Sequence, residues 1–376
     1  MIFLHTSDWH LGATGGERDL WDDQKYFIDA ICGIVREKRV DAVLLAGDVY
    51  DRSVPAASAI GLYDYAMNRL CGELGVKVLT IAGNHDSAER LASCAGLLDK
   101  AGLYLQGAAQ REPRVVEFAD SQVFFLPWIT EEKIKSLYPE ERDGITDLTE
   151  AYRVAVNHMR EKFIPGKHHL LLSHAFITNA ETSTSDRAAE IGFATQVPAS
   201  VFEGFDYVAL GHIHKPQQVN PFIRYSGSPM AYSFGKEERQ EKSVTLIDTA
   251  AMTREVVPLP LLHRWTTLTD SYEALLAGEY PEEIREGYVR LNVTDTAVGL
   301  DMLSRLRQVY PNALVVAGKT YDGEDTTITL TMEQLEQMES DPAEVFKSFC
   351  WEEMGQEATD HFLQLFAQAV EEADAE

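Results

Sequence analysis

Through the first 260 residues, short apolar runs alternate with longer stretches in which apolar residues recur at helical spacing. Ile2–Thr6, Asp41–Ala46, Val76–Ala82, Gln122–Pro127, His169–Ser173 and Tyr207–Leu210 are short, apolar and bounded by polar or glycine-containing turns, the signature of buried strands. Trp21–Lys38 and Ala56–Leu74 carry the helical spacing between them. Strand and helix in alternation predict a layered α/β domain over residues 1–260. Near residue 222 the helical stretches stop, and Phe222–Ser226, Ser243–Asp248 and Glu255–Leu259 read as consecutive strands that close it.

Pro258-Leu259-Pro260 reads as a linker. Residues 261–331 read as a smaller α+β domain, with strands near Trp265–Thr269, Tyr288–Val293, Ala313–Ala317 and Thr326–Thr331 and helices near Tyr272–Ala277 and Gly299–Val309. Residues 332–376 form an acidic tail. In it Asp341-Pro342-Ala343-Glu344 is a helix start, with an N-cap, a proline at the first helical position and an acid reaching back.

Composition adds exclusions. At 45% hydrophobic and 25% charged, the chain is neither disordered, collagen-like nor a disulfide scaffold. No apolar run approaches the roughly 18 residues of a membrane helix, and the N-terminus lacks the basic region of a signal peptide. Cys32, Cys71, Cys94 and Cys350 are widely spaced, as expected of free thiols in a reducing cytoplasm. The net charge of −27 argues against a polyanionic partner until its distribution is read: residues 321–376 hold 16 acids against Lys347 alone. That segment repels nucleic acid and suits a basic protein surface.

Five polar clusters sit where apolar runs end: Asp8-Trp9-His10, Gly47-Asp48-Val49-Tyr50-Asp51-Arg52, Gly83-Asn84-His85-Asp86, Ser173-His174 and Gly211-His212-Ile213-His214. Loops at the carboxyl ends of parallel strands converge in folds of this class. Each residue alone has an ordinary explanation: a turn, a cap or a hydrogen-bonded histidine. Five such turns in one chain point to a metal centre. The two-residue spacing of Asp8 with His10, and of His212 with His214, would aim each pair to one side in extended chain. Oxygen and imidazole donors without cysteine exclude thiolate sites and an all-oxygen calcium cage, and suit Mn, Fe, Zn or Co. The donors suffice for two ions, with Asp48 as the natural bridge.

The ordered set D-x-H, G-D-x-x-D, G-N-H-D, H and G-H-x-H over residues 8–214 resembles the calcineurin-like metallophosphoesterases. Ser7–Gly12, Gly47–Arg52 and Tyr225-Ser226-Gly227-Ser228-Pro229 resemble, more narrowly, the bacterial double-strand-break repair nucleases of that superfamily. The resemblance implies a layered α/β metallophosphoesterase sandwich, a capping domain and a helical tail. It implies that Asp8, His10, Asp48 and His214 hold one ion and Asp48, Asn84, His174 and His212 the other, most often Mn²⁺, with His85 facing the scissile phosphate. It further implies exonuclease and endonuclease action on DNA in repair, recombination and replication. The expected partners are an ATPase subunit bound through the C-terminal helices and a second copy, as a homodimer within a heterotetramer.

Asp51 is a candidate partner for His85, with a turn or cap as its alternative. Arg52 is a candidate phosphate contact, with a surface ion pair as its alternative. Asp86 reads as the cap of a helix beginning near Ser87. In the tail, Val345, Phe346, Phe349, Cys350 and Met354, then Phe362, Leu363, Phe366 and Val370, form two apolar stripes for docking on that ATPase. Competing readings are another phosphodiesterase or phosphatase of the superfamily, which would share every ligand, and a scaffold without catalysis, which should lack one or more ligands.

Overall fold

The computed structural model describes residues 1–16, 18–186, 196–297, 300–319 and 327–331, with 346–347, 350, 359 and 362–367 toward the C-terminus. The chain divides into two compact units, residues 1–14 with 19–262, and residues 15–18 with 263–376.

The first unit contains β1 (Ile2–Thr6), α1 (Trp21–Lys38), β2 (Ala42–Ala46), α2 (Ala57–Met67), β3 (Lys77–Ile81), β4 (Leu103–Gln106), β5 (Val115–Glu117), β6 (Ser121–Leu126), α3 (Glu131–Leu137), α4 (Leu148–Arg160), β7 (His168–His174), β8 (Tyr207–Gly211), β9 (Gln217–Asn220), β10 (Ile223–Tyr225), β11 (Ser243–Asp248) and β12 (Thr253–Pro258). They build two six-stranded sheets, ordered β12-β11-β1-β2-β3-β4 and β9-β10-β8-β7-β6-β5. In the first, β1 to β4 are parallel out to the edge strand β4, and antiparallel β11 and β12 lie on the β1 side; in the second, a parallel centre β10-β8-β7-β6 is flanked by antiparallel strands on both edges.

Strand pleating explains the continuous apolar runs. Leu170 and Leu172 of β7, with Val123, Phe125, Tyr207 and Ala209, meet Phe3, Leu44, Leu79 and Ile81 of the first sheet in one core. Leu171, Phe124, Val208 and Leu210 point the other way, onto Tyr152, Val156 and Met159 of α4. The second sheet is therefore apolar on both faces.

α1 matches its predicted span. It is favoured by Asp22 and Asp23 in its first turn and Arg36 and Lys38 in its last, and Arg39 stops it in the left-handed conformation. The helix expected over Ala56–Leu74 is α-helical only to Met67 and continues as a π-helix over Asn68–Glu73. The short strands β4, β5 and β9 go beyond the elements expected from the apolar pattern, as do α3 and α4. The two helices do carry readable N-caps: Thr130 accepts from the Lys133 N–H and Asp147 from the Glu150 N–H.

The second unit has β13 (Trp265–Asp270), α5 (Tyr272–Ala277), β14 (Tyr288–Ala297), α6 (Leu300–Val309), β15 (Ala313–Lys319) and β16 (Thr327–Thr331), forming a four-stranded mixed sheet. Leu268, Leu275, Val289, Leu291, Leu306, Tyr310 and Val316 make its core. Toward the C-terminus residues 362–367 are helical, and the Phe346 and Phe366 rings stack with centroids 4.4 Å apart. The expected helix start at Asp341–Glu344, and Val345, Phe349, Met354 and Val370 of the stripes, lie outside the described residues. No helix among the described residues is long and apolar enough to cross a membrane.

Candidate metal centre

The loop leaving β1 runs beside the loop leaving β2. Asp8 N donates to Gly47 O at 3.1 Å, His10 N to Asp48 O at 3.0 Å and Leu11 N to Val49 O at 2.9 Å. This ladder turns through left-handed backbone at Asp8 (φ 52°), His10 (φ 41°) and Asp48 (φ 48°), and His212 has φ 101°. The extended-chain reading of the two-residue spacings is therefore corrected. Left-handed turns, not period-two alternation, bring Asp8 and His10 to one side, and His212 too departs from extended geometry. Such backbone costs about 1–3 kcal/mol per residue and persists only where the surroundings over-determine it. Two glycines are dictated by close approach. A Cβ on Gly83 would lie 2.0 Å from Asp48 Oδ1, and one on Gly211 would lie 1.9 Å from Ala46 O.

The seven predicted donors come together, apart in sequence and adjacent in space. His10 Nε2 lies 3.0 Å from His214 Nε2 and 3.7 Å from Asp48 Oδ2. His174 Nε2 lies 2.9 Å from Asn84 Oδ1 and 3.4 Å from Asp48 Oδ2. His212 Nδ1 lies 3.0 Å from the same Asn84 oxygen. Donor atoms of Asp8, His10 and His214, and of Asp8, Asp48 and His174, group within 4.8 Å of one another. Asp8 is tied down by Ser7 Oγ at 2.6 Å and by the His212 N–H at 2.8 Å. Trp128 stacks on His212 with centroids 5.2 Å apart, an apolar wall on that side.

The proton inventory shows what such a set fits. His174 Nδ1 meets the Ala46 carbonyl at 2.8 Å, so it carries a hydrogen, and Nε2 is the atom that faces the Asn84 and Asp48 oxygens and would offer a lone pair to a cation when the ring is neutral. His10 Nδ1 faces the Asp51 carboxylate at 3.5 Å, which leaves Nε2 as the atom turned into the cluster. Lone pairs converging on lone pairs, in nitrogen–oxygen proportion, fit divalent cations. The charges of the protein groups alone conflict. Burial pushes Asp8 up to about 7, with His174 pulling against it. Burial likewise disfavours charge on His174 and Asp48, but their mutual attraction outweighs it, pushing His174 up to about 9 and holding Asp48 well below the carboxylate range. His212 is pushed down to about 3 by burial, then by His174.

A family profile described as calcineurin-like phosphoesterase matches residues 1–216, and one described as type 5 capsule protein repressor C-terminal domain matches residues 261–354. The SbcD subunit of the nuclease SbcCD of Staphylococcus epidermidis is 30% identical over 326 residues, covering 86% of each chain. The chain belongs to the SbcD family of calcineurin-like phosphoesterases. The corresponding SbcCD nuclease subunit of Staphylococcus saprophyticus is 28% identical over 325 residues, again covering 86% of each. A solved dimetal phosphatase from Danio rerio is 12% identical with a TM-score of 0.42, covering 69% of this chain and 96% of its own. The SbcD-family chain is a metal-dependent hydrolase acting on phosphodiester bonds.

In this SbcD-family site, His85 sits at the half-buried edge. Its ring meets that of His10 edge-on with centroids 4.6 Å apart, and its Nδ1 donates to the Asp51 backbone carbonyl at 2.9 Å. The contact from Asp51 to His85 thus runs through the main chain. The Asp51 carboxylate stands 3.5 Å from His10 Nδ1 and 3.6 Å from Arg52 Nε. Arg52 is exposed and paired with its neighbour. Asp86 is not a helix cap: Ser87 is, accepting from the Arg90 N–H. Asp86 is buried and accepts from the N–H groups of Val49 at 3.1 Å, Tyr50 at 2.9 Å and Gly83 at 2.9 Å. It clamps the Asp48 loop to the Asn84 loop, a long-range role its sequence neighbours do not reveal. Burial, with Asp48 adding, pushes it up to about 6 against those three donors. Asp86→Ala should destabilise the fold by about 2–4 kcal/mol by leaving three buried donors without an acceptor. It should also weaken metal uptake. Urea unfolding and metal titration of the variant check both; an unchanged urea midpoint would refute the clamp.

Proposed function

We propose that this chain is a Mn²⁺-dependent exonuclease and endonuclease of DNA, acting in repair, recombination and replication with an SbcC-like ATPase. The observation that carries it is the convergence of seven oxygen and nitrogen donors, from five loops of two sheets, on one buried point. Asp8, His10, Asp48 and His214 would hold one ion, and Asp48, Asn84, His174 and His212 the other. When bound, such a pair supplies an activated water and neutralises charge on the phosphate oxygens.

The chain's own residues do the rest. Asp48, fixed by the His85 N–H on one oxygen, offers its other oxygen between the two imidazole groups. His85, oriented by the Asp51 carbonyl, gives a proton to the leaving 3′-oxygen. Asp51 supports His85 through its main chain, and Arg52 reaches phosphate by leaving its Asp51 pair. Residues 1–260 are the nuclease domain, residues 261–331 cap it, and residues 332–376 dock on the ATPase. The relatives' own name, which makes them one subunit of an SbcCD nuclease, supports that partner. The working assembly is a cytoplasmic heterotetramer around a homodimer.

The test is cleavage of linear duplex and hairpin DNA by the purified chain, with and without the ATPase, after EDTA treatment. Mn²⁺ should restore cleavage better than Mg²⁺, which resists dehydration and imidazole ligation. Equal rescue by Mg²⁺ would overturn the metal assignment. Cleavage confined to small phosphoesters would favour a phosphodiesterase of another kind.

A further inference from the structure

Behind His214 lies a buried polar network that no spacing in the sequence reveals. Glu237 and Lys242 are both nearly inaccessible, and Lys242 Nζ lies 3.4 Å from Glu237 Oε2. Glu237 accepts from five donors: Lys242 Nζ, the Tyr232 N–H at 3.0 Å, Ser233 Oγ at 3.1 Å, the Ser185 N–H at 3.2 Å and the Ser185 hydroxyl. Ser185 Oγ in turn lies 2.5 Å from His214 Nδ1. The main chain of His214 is gripped as well: its N–H donates to Asp186 Oδ1 at 3.1 Å and its carbonyl accepts from Lys242 Nζ at 3.2 Å.

The direction of this chain is set by proton counting. A carboxylate can only accept and an ammonium can only donate. The single proton of Ser185 therefore goes to Glu237, and the contact between Ser185 Oγ and His214 must be filled by a hydrogen on His214 Nδ1. That leaves Nε2 as the lone pair, and Nε2 is the atom 3.0 Å from His10 Nε2 in the donor cluster. His174 and His85 are oriented by backbone carbonyls, of Ala46 and Asp51, which no substitution removes. His214 is oriented by side chains.

We infer that Ser185, polarised by the Glu237–Lys242 pair, is a positioning residue that locks His214 in the Nδ1–H tautomer and so tunes the affinity of one metal position and not the other; this rests on the metal-centre reading above. Partners of this kind typically change metal affinity 10–100-fold.

Ser185→Ala is the first variant, because Ser185 is small and only half-buried. Two measurements are made on the full chain. In metal-free protein with ¹⁵N-labelled histidine, two-bond ¹H–¹⁵N correlations should show His214 as a single Nδ1–H tautomer in the wild type and as a mixture in the variant. In Mn²⁺ calorimetry, one of two binding events should weaken 10–100-fold while the other stays within about twofold. Ser185→Thr, which keeps the hydroxyl, should restore both. Ser185→Cys, a poor acceptor, should reproduce the alanine result if that variant is unstable. An unchanged His214 tautomer together with unchanged Mn²⁺ isotherms would overturn the inference, as would equal weakening of both events. If the wild type takes up no Mn²⁺ at all, the metal-centre reading fails, and the tautomer measurement still judges the lock by itself.

Discussion

Asp48→Ala is expected to abolish phosphodiester cleavage and to remove both metal ions at once. The carboxylate is buried, with Oδ1 bound to the His85 N–H at 3.0 Å and Oδ2 facing His174 at 3.4 Å and His10 at 3.7 Å. One of its oxygens thus faces imidazoles of both proposed positions, so its loss strips a shared donor. It also removes the principal attraction that keeps charge on buried His174, and it strands the His85 N–H, a cost of about 1–3 kcal/mol. Elemental analysis and a DNA cleavage assay of the variant check the result. Wild-type turnover with two bound ions would sink the binuclear reading.

His85→Ala is expected to separate chemistry from binding. The His85 ring touches the cluster at its edge, is held by the Asp51 carbonyl and is not one of the proposed donors, and its N–H to Asp48 survives the substitution, so both ions should remain. Loss of its proton transfer or oxyanion contact should slow cleavage by roughly 10²–10⁴. Asp51→Asn should be far milder, because the main-chain carbonyl that orients His85 survives it. Metal stoichiometry and single-turnover rates decide. A variant that loses an ion would show that His85 is a ligand, and an Asp51→Asn variant as slow as His85→Ala would return the orienting role to the carboxylate.

Most of the donor set was legible because its residue types are abnormal where they stand. Aspartate, asparagine and histidine at the ends of apolar strands have no reason to recur five times in core-forming sequence. What lay hidden was everything joined by long-range geometry. Asp86 looks like a helix cap because Ser87 follows it, yet its acceptors are spent on N–H groups 37, 36 and 3 residues away. Glu237 and Lys242 sit in the charged run Lys236–Lys242, yet they are buried. Burial of charge cannot be read from a charged run. The strands β4, β5 and β9 are three or four residues long, too short to display a period. The spacing of Asp8 and His10 pointed to two residues that do come together, but by another route, since the backbone there is left-handed rather than extended.

The donors divide between the sheets: Asp8, His10, Asp48 and Asn84 follow strands of the first, while His174 ends a strand of the second and His212 and His214 follow another. The contacts His10–His214, His174–Asn84, His174–Asp48 and His212–Asn84 therefore span the sandwich, and Gly211 approaches Ala46 closely across the two layers. A slip of one layer by a single residue rise, about 3.3 Å, would stretch 3.0 Å separations across the sandwich to about 4.5 Å. Phe3, Leu44, Leu79, Phe125 and Leu172 in the layer between act as the gauge block of a caliper whose jaws are the ligand loops. Repacking that spacer would then shift the spacing of the proposed ligand loops with every one of their residues left in place.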